Sequence, residues 1–333
     1  MLVTGAIAAT FAIVALTLWY AAHVFLLLFA GILLAVLFRG LADPLARHAR
    51  FPSGLALAVV VLALFGILAL ILWTYGEQIV QGFYDLVRSL PDSLAAVRKQ
   101  LEQYPWGRSL MQALADIEWQ SVTPDVVRRV VGVFYTVLPA VASLLIVLFL
   151  GLYLSVEPQL YTRGLVLLVP PSRRERARDV LRQLNRALKW FLLARAASMA
   201  VLFGLTWIGL ALLGVPFAFP LALLAGLLEF IPNIGPVIAA VPAVAVAFAQ
   251  APILGVWVIL LYVVLQGVES YLITPLIQRE MVSIPPALLF VVQLLLGYFF
   301  GLLGLLLAAP LTAVLMVLVR TLYLEDVLGE RGT

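Results

Sequence analysis

Residues 220–250 read PLALLAGLLEFIPNIGPVIAAVPAVAVAFAQ, with one ionisable side chain, Glu229, just ahead of the break Ile231-Pro232-Asn233-Ile234-Gly235-Pro236. Eleven residues, Pro220 to Phe230, precede the break, and fourteen, Val237 to Gln250, follow it. A helix that crosses the hydrocarbon core needs about 20 residues, so neither piece spans comfortably. Two prolines and a glycine within five positions remove two amide donors and permit a sharp reversal. The stretch predicts a re-entrant helical hairpin with its tip inside a membrane.

The rest of the chain supplies that membrane setting. Of 333 residues, 64% are hydrophobic and 11% charged, with a mean hydropathy of +1.12. Soluble domains run near 45–50% apolar and about 25% charged, so the solvent for most of this chain is lipid. No Asp, Glu, Lys or Arg occurs in 1–38, 51–76, 130–156, 196–228, 230–268 or 281–319. These six runs hold about eight spans, and without a period of two they are helices, not barrel strands. The expected fold is an all-α integral membrane protein with two Gly/Pro-broken hairpins in its C-terminal half.

The second hairpin repeats the spacing of the first. It runs from Pro285-Pro286 to Phe300, breaks at Gly301-Leu302-Leu303-Gly304 and continues through Pro310 to Arg320. Pro220 precedes Gly235 by fifteen positions, as Pro286 precedes Gly301. Two helix-plus-hairpin units in inverted orientation are expected, and paired interrupted segments point to the site of a transporter.

Charge orders the pieces. The first three spans occupy 1–76, with the first run read as a tight hairpin turning near Tyr20 and His23; a single steeply tilted helix is the alternative. Segments 39–53 and 157–195 are basic and should face the cytoplasm, which also places both termini there. Between them, 77–129 is expected as an extracytoplasmic insert, and 130–156 as the fourth span. Ile79, Phe83, Leu86 and Leu90 form an apolar stripe for the membrane surface or a neighbouring subunit, and Pro91 should end that helix, with Asp92 or Ser93 capping the next. Within 157–195, Ser172 is the expected N-cap of a helix carrying Arg174, Arg178, Arg182 and Arg186 at steps of four. That basic face suits an anionic leaflet. A transport core over 196–323 and a cytoplasmic tail over 324–333 complete the expected organisation.

Few residues can carry chemistry. Glu269 lies in the sixth span with Tyr262 and Gln266 at i−7 and i−3, on one helical face. A carboxylate at a span centre costs roughly 2.5–3.5 kcal/mol, so it should face a cavity, pair or take a proton. Glu269, Gln266 and Tyr262 are therefore expected to line a substrate or ion pathway, together with Glu229 and Asn233 at the first break. Arg279 and Glu280 fall in a short loop and read as ordinary. The chain has no cysteine, and its two histidines, His23 and His48, are far apart. There is no Gly-x4-Gly-Lys-Ser/Thr, no metal set and no nucleophile–base pair, so an enzyme, a cofactor, ATP hydrolysis and nucleic-acid binding are not expected.

These residues resemble the AI-2E family of bacterial membrane proteins. The likeness is carried by Gly214-Val215-Pro216, Phe230-Ile231-Pro232-Asn233-Ile234-Gly235-Pro236, Pro242, Gln266-Gly267-Val268-Glu269-Ser270-Tyr271, Thr274-Pro275, Ser283-Ile284-Pro285-Pro286, Gly301, Gly304 and Ala308-Ala309-Pro310. The resemblance implies an eight-span inner-membrane protein, homo-oligomeric and of pentameric order, in a class linked to export of the quorum signal autoinducer-2. Some members are similar to Na+/H+ antiporters. The family's break and its Gln-x-x-Glu carry over onto Pro232, Gly235, Pro236, Gln266 and Glu269, while nothing carries over onto Glu229. Three functions follow as expectations: export of a small polar solute or signal, monovalent cation/proton antiport, and an oligomeric scaffold or passive pore.

Overall fold

The computed structural model describes residues 2–103, 105, 137–273 and 284–329. Among them every regular element is helical. The expectations for the rest of the 77–129 insert, for 130–136, and for Thr274-Pro275, Arg279, Glu280 and Ser283 lie outside the described residues. Among the described residues, five helices are long and apolar enough to cross a membrane, or six if a bent pair counts as one span. This is a multi-pass membrane protein. The expected count of eight is not reached by these full-length elements, and the first reason lies at the N-terminus.

Helix α1 runs unbroken over Leu2–Ala49, so the alternative of one long helix replaces the expected hairpin. Between Gly5 and Gly31 there is no glycine or proline, and Tyr20-Ala21-Ala22-His23 offers nothing that would stop a helix. One crossing in place of two also removes the argument that put the N-terminus in the cytoplasm. Helix α2, Ser53–Leu101, likewise continues through Pro91, with Asp92 and Ser93 inside it and not at a cap. Proline removes one amide donor, and packing outweighs that loss. Leu86 is buried among Leu210, Val215, Leu221 and Ala243, with Phe83 and Leu90 packed beside it. Part of the apolar stripe of α2 is thus covered by this chain's own helices.

The chain divides into two compact units, 1–61 with 140–192 and 281–333, and 62–139 with 193–280. In the first unit, α3 (Val137–Val156) bends by 84° into α4 (Pro158–Leu167). Arg39 of α1 donates to the carbonyls of Ser155 at 2.5 Å and Val156 at 2.7 Å, satisfying acceptors that the end of α3 leaves open. A 3₁₀ turn, Pro171–Arg173, leads into α5, Arg174–Leu212. Ser172 sits within the turn and does not cap. The basic linker and the fifth span are therefore one 39-residue helix.

In the second unit, α6 (Ala218–Leu228) and α7 (Ile234–Gln250) are joined by the break at 229–233 and pack on each other. Ala251, in extended conformation, turns the chain into α8 (Pro252–Val268), which packs along α7 and ends in a π turn, Glu269–Ile273. In the first unit, Pro286–Leu318 forms α9, interrupted by Gly301 at φ 60° and ψ −142°, a backbone state open to glycine. A Cβ on Gly304 would lie 2.7 Å from the carbonyl carbon of Leu296. Eight residues apart on a straight helix means about 12 Å, so the chain doubles back here. A Cβ on Gly235 would lie 2.6 Å from the carbonyl carbon of Leu228, which closes the first hairpin the same way. The spacing argument paired Gly235 with Gly301. In the structure Gly304 is the counterpart of Gly235, and Gly301 matches Asn233 as the residue of positive φ.

Candidate functional site

In the second unit, Thr206, Glu229, Tyr262, Gln266 and Glu269 line one small cavity. From α5 come Leu202 and Thr206, from α6 Ala225 and Glu229, from α7 Pro236, and from α8 Tyr262, Leu265, Gln266 and Glu269. The cavity measures about 20 Å³, room for one water or a bare monovalent ion.

Local structure explains the placement. Tyr262, Gln266 and Glu269 recur on one face of α8 and its π turn, and Leu265 completes the wall. Glu229 directly follows the last residue of α6, as Glu269 follows that of α8. The end of α6 carries partial negative charge and open carbonyls, and two carboxylates beside it create a strong demand for positive charge. Pro236, in the first turn of α7, closes the wall without presenting an amide donor.

Arg195 of α5 answers that demand. Its Nη1 donates to Oε1 of Glu229 at 2.9 Å and to the backbone carbonyl of Glu229 at 3.3 Å, and lies 3.6 Å from Oε1 of Glu269. Glu229 is 1% exposed. Gln266 Nε2 donates to Oε2 of Glu269 at 2.7 Å, and the Tyr262 hydroxyl donates to the carbonyl of Ala239 at 3.4 Å. Two carboxylates against one guanidinium leave one formal negative charge when both acids are ionised. In a low-dielectric setting an unbalanced charge is costly, so the site favours one more proton or small cation. That is the chemistry available here: reversible neutralisation at a buried acid pair.

Four of the sequence candidates, Glu229, Tyr262, Gln266 and Glu269, thus line one cavity. Asn233 does not. It is exposed at the turn with φ 65°, where its contribution is backbone geometry. Pro232 is buried in the break, Gly235 makes the close approach described above, and Gly301 and Gly304 build the hairpin of the first unit. Arg195 closes a run of basic residues that reads as a cytoplasmic linker, and that context masks its role in the sequence. Its signal was balance: two acids flank charge-free runs at 229 and 269, and Arg195 is the basic residue that borders the first of them.

On the exposed half of α5, Arg178, Arg182 and Arg186 are all accessible, Arg182 pairs with Asp179, and Arg174 donates to the carbonyl of Val169 at 3.2 Å. Arg176 lies off that stripe. It donates to Asp326 at 3.1 Å, to Glu325 at 2.9 Å and to the carbonyl of Thr321 at 2.8 Å, tying the C-terminal segment to α5. The hydrogen bond to Asp326, then that to Glu325, raises the Arg176 pKa above its ordinary value.

Comparison with known proteins agrees with this architecture. The family model described as "AI-2E family transporter" matches residues 8–324. The chain is 24% identical over 302 residues, 86% of its own length and 82% of the relative's, to "Putative transport protein YueF" of Bacillus subtilis (strain 168). It is 25% identical over 297 residues, 86% of its length and 83% of the relative's, to "AI-2 transport protein TqsA" of Escherichia coli (strain K12). To "Putative transport protein YhhT" of the same strain it is 34% identical over 118 residues, 35% of its own length and 34% of the relative's. A match over nearly the whole chain means that this protein belongs to the AI-2E transporter family.

Proposed function

We propose that the protein is a secondary transporter of the bacterial inner membrane that moves a small polar solute or signal outward, with coupling to a proton or monovalent cation at Glu229 and Glu269. The observation that carries this reading is the buried set of two acids on one base, beside a cavity with room for an ion. Autoinducer-2 is the cargo to test first, because one relative, similar over most of its length, is an AI-2 transport protein. The charge of 39–53, and of 157–195 ahead of the half-buried Arg195, supports a cytoplasmic side for both, and the tie from Arg176 to Glu325 and Asp326 supports a C-terminus on that side. Homo-oligomerisation, to a pentamer by family likeness, belongs to the same proposal, as does the inverted relation of the two hairpin units.

A second reading is cation/proton antiport with no organic cargo. The acid pair favours it, since two carboxylates on one guanidinium can exchange a proton for a small cation. One assay separates the readings. Proteoliposomes holding a preset pH gradient are challenged with Na+, K+ or Li+, with Glu269→Gln beside the unsubstituted protein. Gradient collapse that needs Glu269 makes antiport the primary activity. No response to cations in folded protein removes antiport, and autoinducer-2 efflux is then measured directly. Flux that neither saturates nor depends on Glu269 overturns both in favour of a passive pore.

A further inference from the structure

We infer that Arg195 is a positioning residue that links the charge on the acid pair to the geometry of the first hairpin. The inference rests on the proposed function only in taking Glu229 and Glu269 as groups whose charge changes during work. Its structural basis is that one guanidinium nitrogen bonds both the side chain and the main chain of Glu229, at 2.9 and 3.3 Å. The main-chain carbonyl belongs to the break itself. Gly235 N–H serves the carbonyl of Ile231 and Ile234 N–H that of Pro232, whereas Arg195, from a different helix, serves that of Glu229. Arg195 thereby stitches the break to α5.

Glu269 competes for the same nitrogen from 3.6 Å away. Gln266 holds the other oxygen of Glu269, and Ser198, one turn beyond Arg195 on α5, is buried. Both acids therefore draw on the same guanidinium nitrogen of Arg195. When Glu269 is neutralised, by a proton or a bound cation, Arg195 belongs to Glu229 and the break is held. When Glu229 is neutralised, Arg195 moves to Glu269, the carbonyl of Glu229 loses its donor, and the break loosens. A site that merely balanced charge would respond to loss of either acid in the same direction.

The test uses that difference in sign. The chain has no cysteine, so Ile231→Cys, at a break position that is 1% exposed, supplies a single thiol in the reconstituted full-length protein. The rate of its reaction with N-ethylmaleimide reports opening of the break. On this background Glu229→Gln and Arg195→Gln are expected to raise the rate at least tenfold, Arg195→Lys less, and Glu269→Gln not at all or downward. Equal acceleration by both glutamine substitutions, or no change with Arg195→Gln, overturns the inference. If Arg195→Gln fails to fold, the two acid variants decide alone. If the cysteine is not tolerated, hydrogen exchange at the amides of Ile231 and Gly235 replaces it, with the same expected signs. No cargo or gradient enters the assay, so lost flux with this labelling pattern counts against the transport reading alone.

Discussion

Gly235 and Gly304 hold equivalent places in two separate hairpins: at each, the glycine Cα faces a main-chain carbonyl, of Leu228 in one case and Leu296 in the other. A side chain of any size at either position must push backbone aside, because the neighbour is a carbonyl and not a flexible tip.

Gly235→Ala and Gly304→Ala should each cost about 1–3 kcal/mol, the range for forcing a methyl into packed surroundings. Gly267 of α8 has nothing within 4 Å of a Cβ and serves as the control. Gly267→Ala should lie within about 1 kcal/mol of the unsubstituted protein, on the stabilising side if anything. Thermal melting in detergent measures all three, and equal melting points for Gly235→Ala and Gly267→Ala would show that the turn has slack.

Removing the base from the acid pair should hurt more than removing all three charges. Arg195→Gln leaves two buried carboxylates uncompensated, at a cost of about 3–5 kcal/mol. The triple variant with Gln at 195, 229 and 269 carries no uncompensated charge and should recover most of that loss. Its melting point is expected between those of Arg195→Gln and the unsubstituted protein. A triple variant less stable than the single one would mean that the acids are held by something other than Arg195.

The C-terminal tie is expected to be weak by itself. Arg176, Glu325 and Asp326 are each a quarter to two-fifths exposed at their side chains, where solvent screens the pairing. Arg176→Gln should therefore cost less than about 1 kcal/mol in melting, yet speed proteolysis after Arg320 because the Thr321 carbonyl loses the Arg176 donor. Salt should narrow the gap between variant and parent. An unchanged cleavage rate would assign the order of this segment to Thr321 and Gln183, which bond at 3.1 Å.

The basic stripe makes a different kind of prediction. Replacing Arg178, Arg182 and Arg186 by Gln should reduce retention of anionic phospholipid in native mass spectrometry, by about 1 kcal/mol per residue. Zwitterionic lipid should be retained as before. Loss of both lipids together would point to disturbed packing of α5.

Some of this protein is local in origin, and that part is legible from residues alone. Apolar runs with no charge must become helices in lipid, since the backbone has no other donor there. Pro232 with Gly235, and Gly301 with Gly304, interrupt their helices wherever those helices lie. Gln266 and Glu269 are three apart along continuous helical backbone, so their 2.7 Å bond follows from helical geometry. The long-range features had another source. Pro91 is carried through α2 because Leu86 and its neighbours pack on Leu210 and Leu221. Gly304 and not Gly301 matches Gly235, because equivalence was set by which carbonyl each glycine meets. Arg195 reaches partners 34 and 74 residues away, and nothing within a turn of it announces them. Periodicity and breaks act over a few residues, whereas the charge balance of a buried site is closed by whichever helix packs nearest. That choice belongs to the tertiary structure.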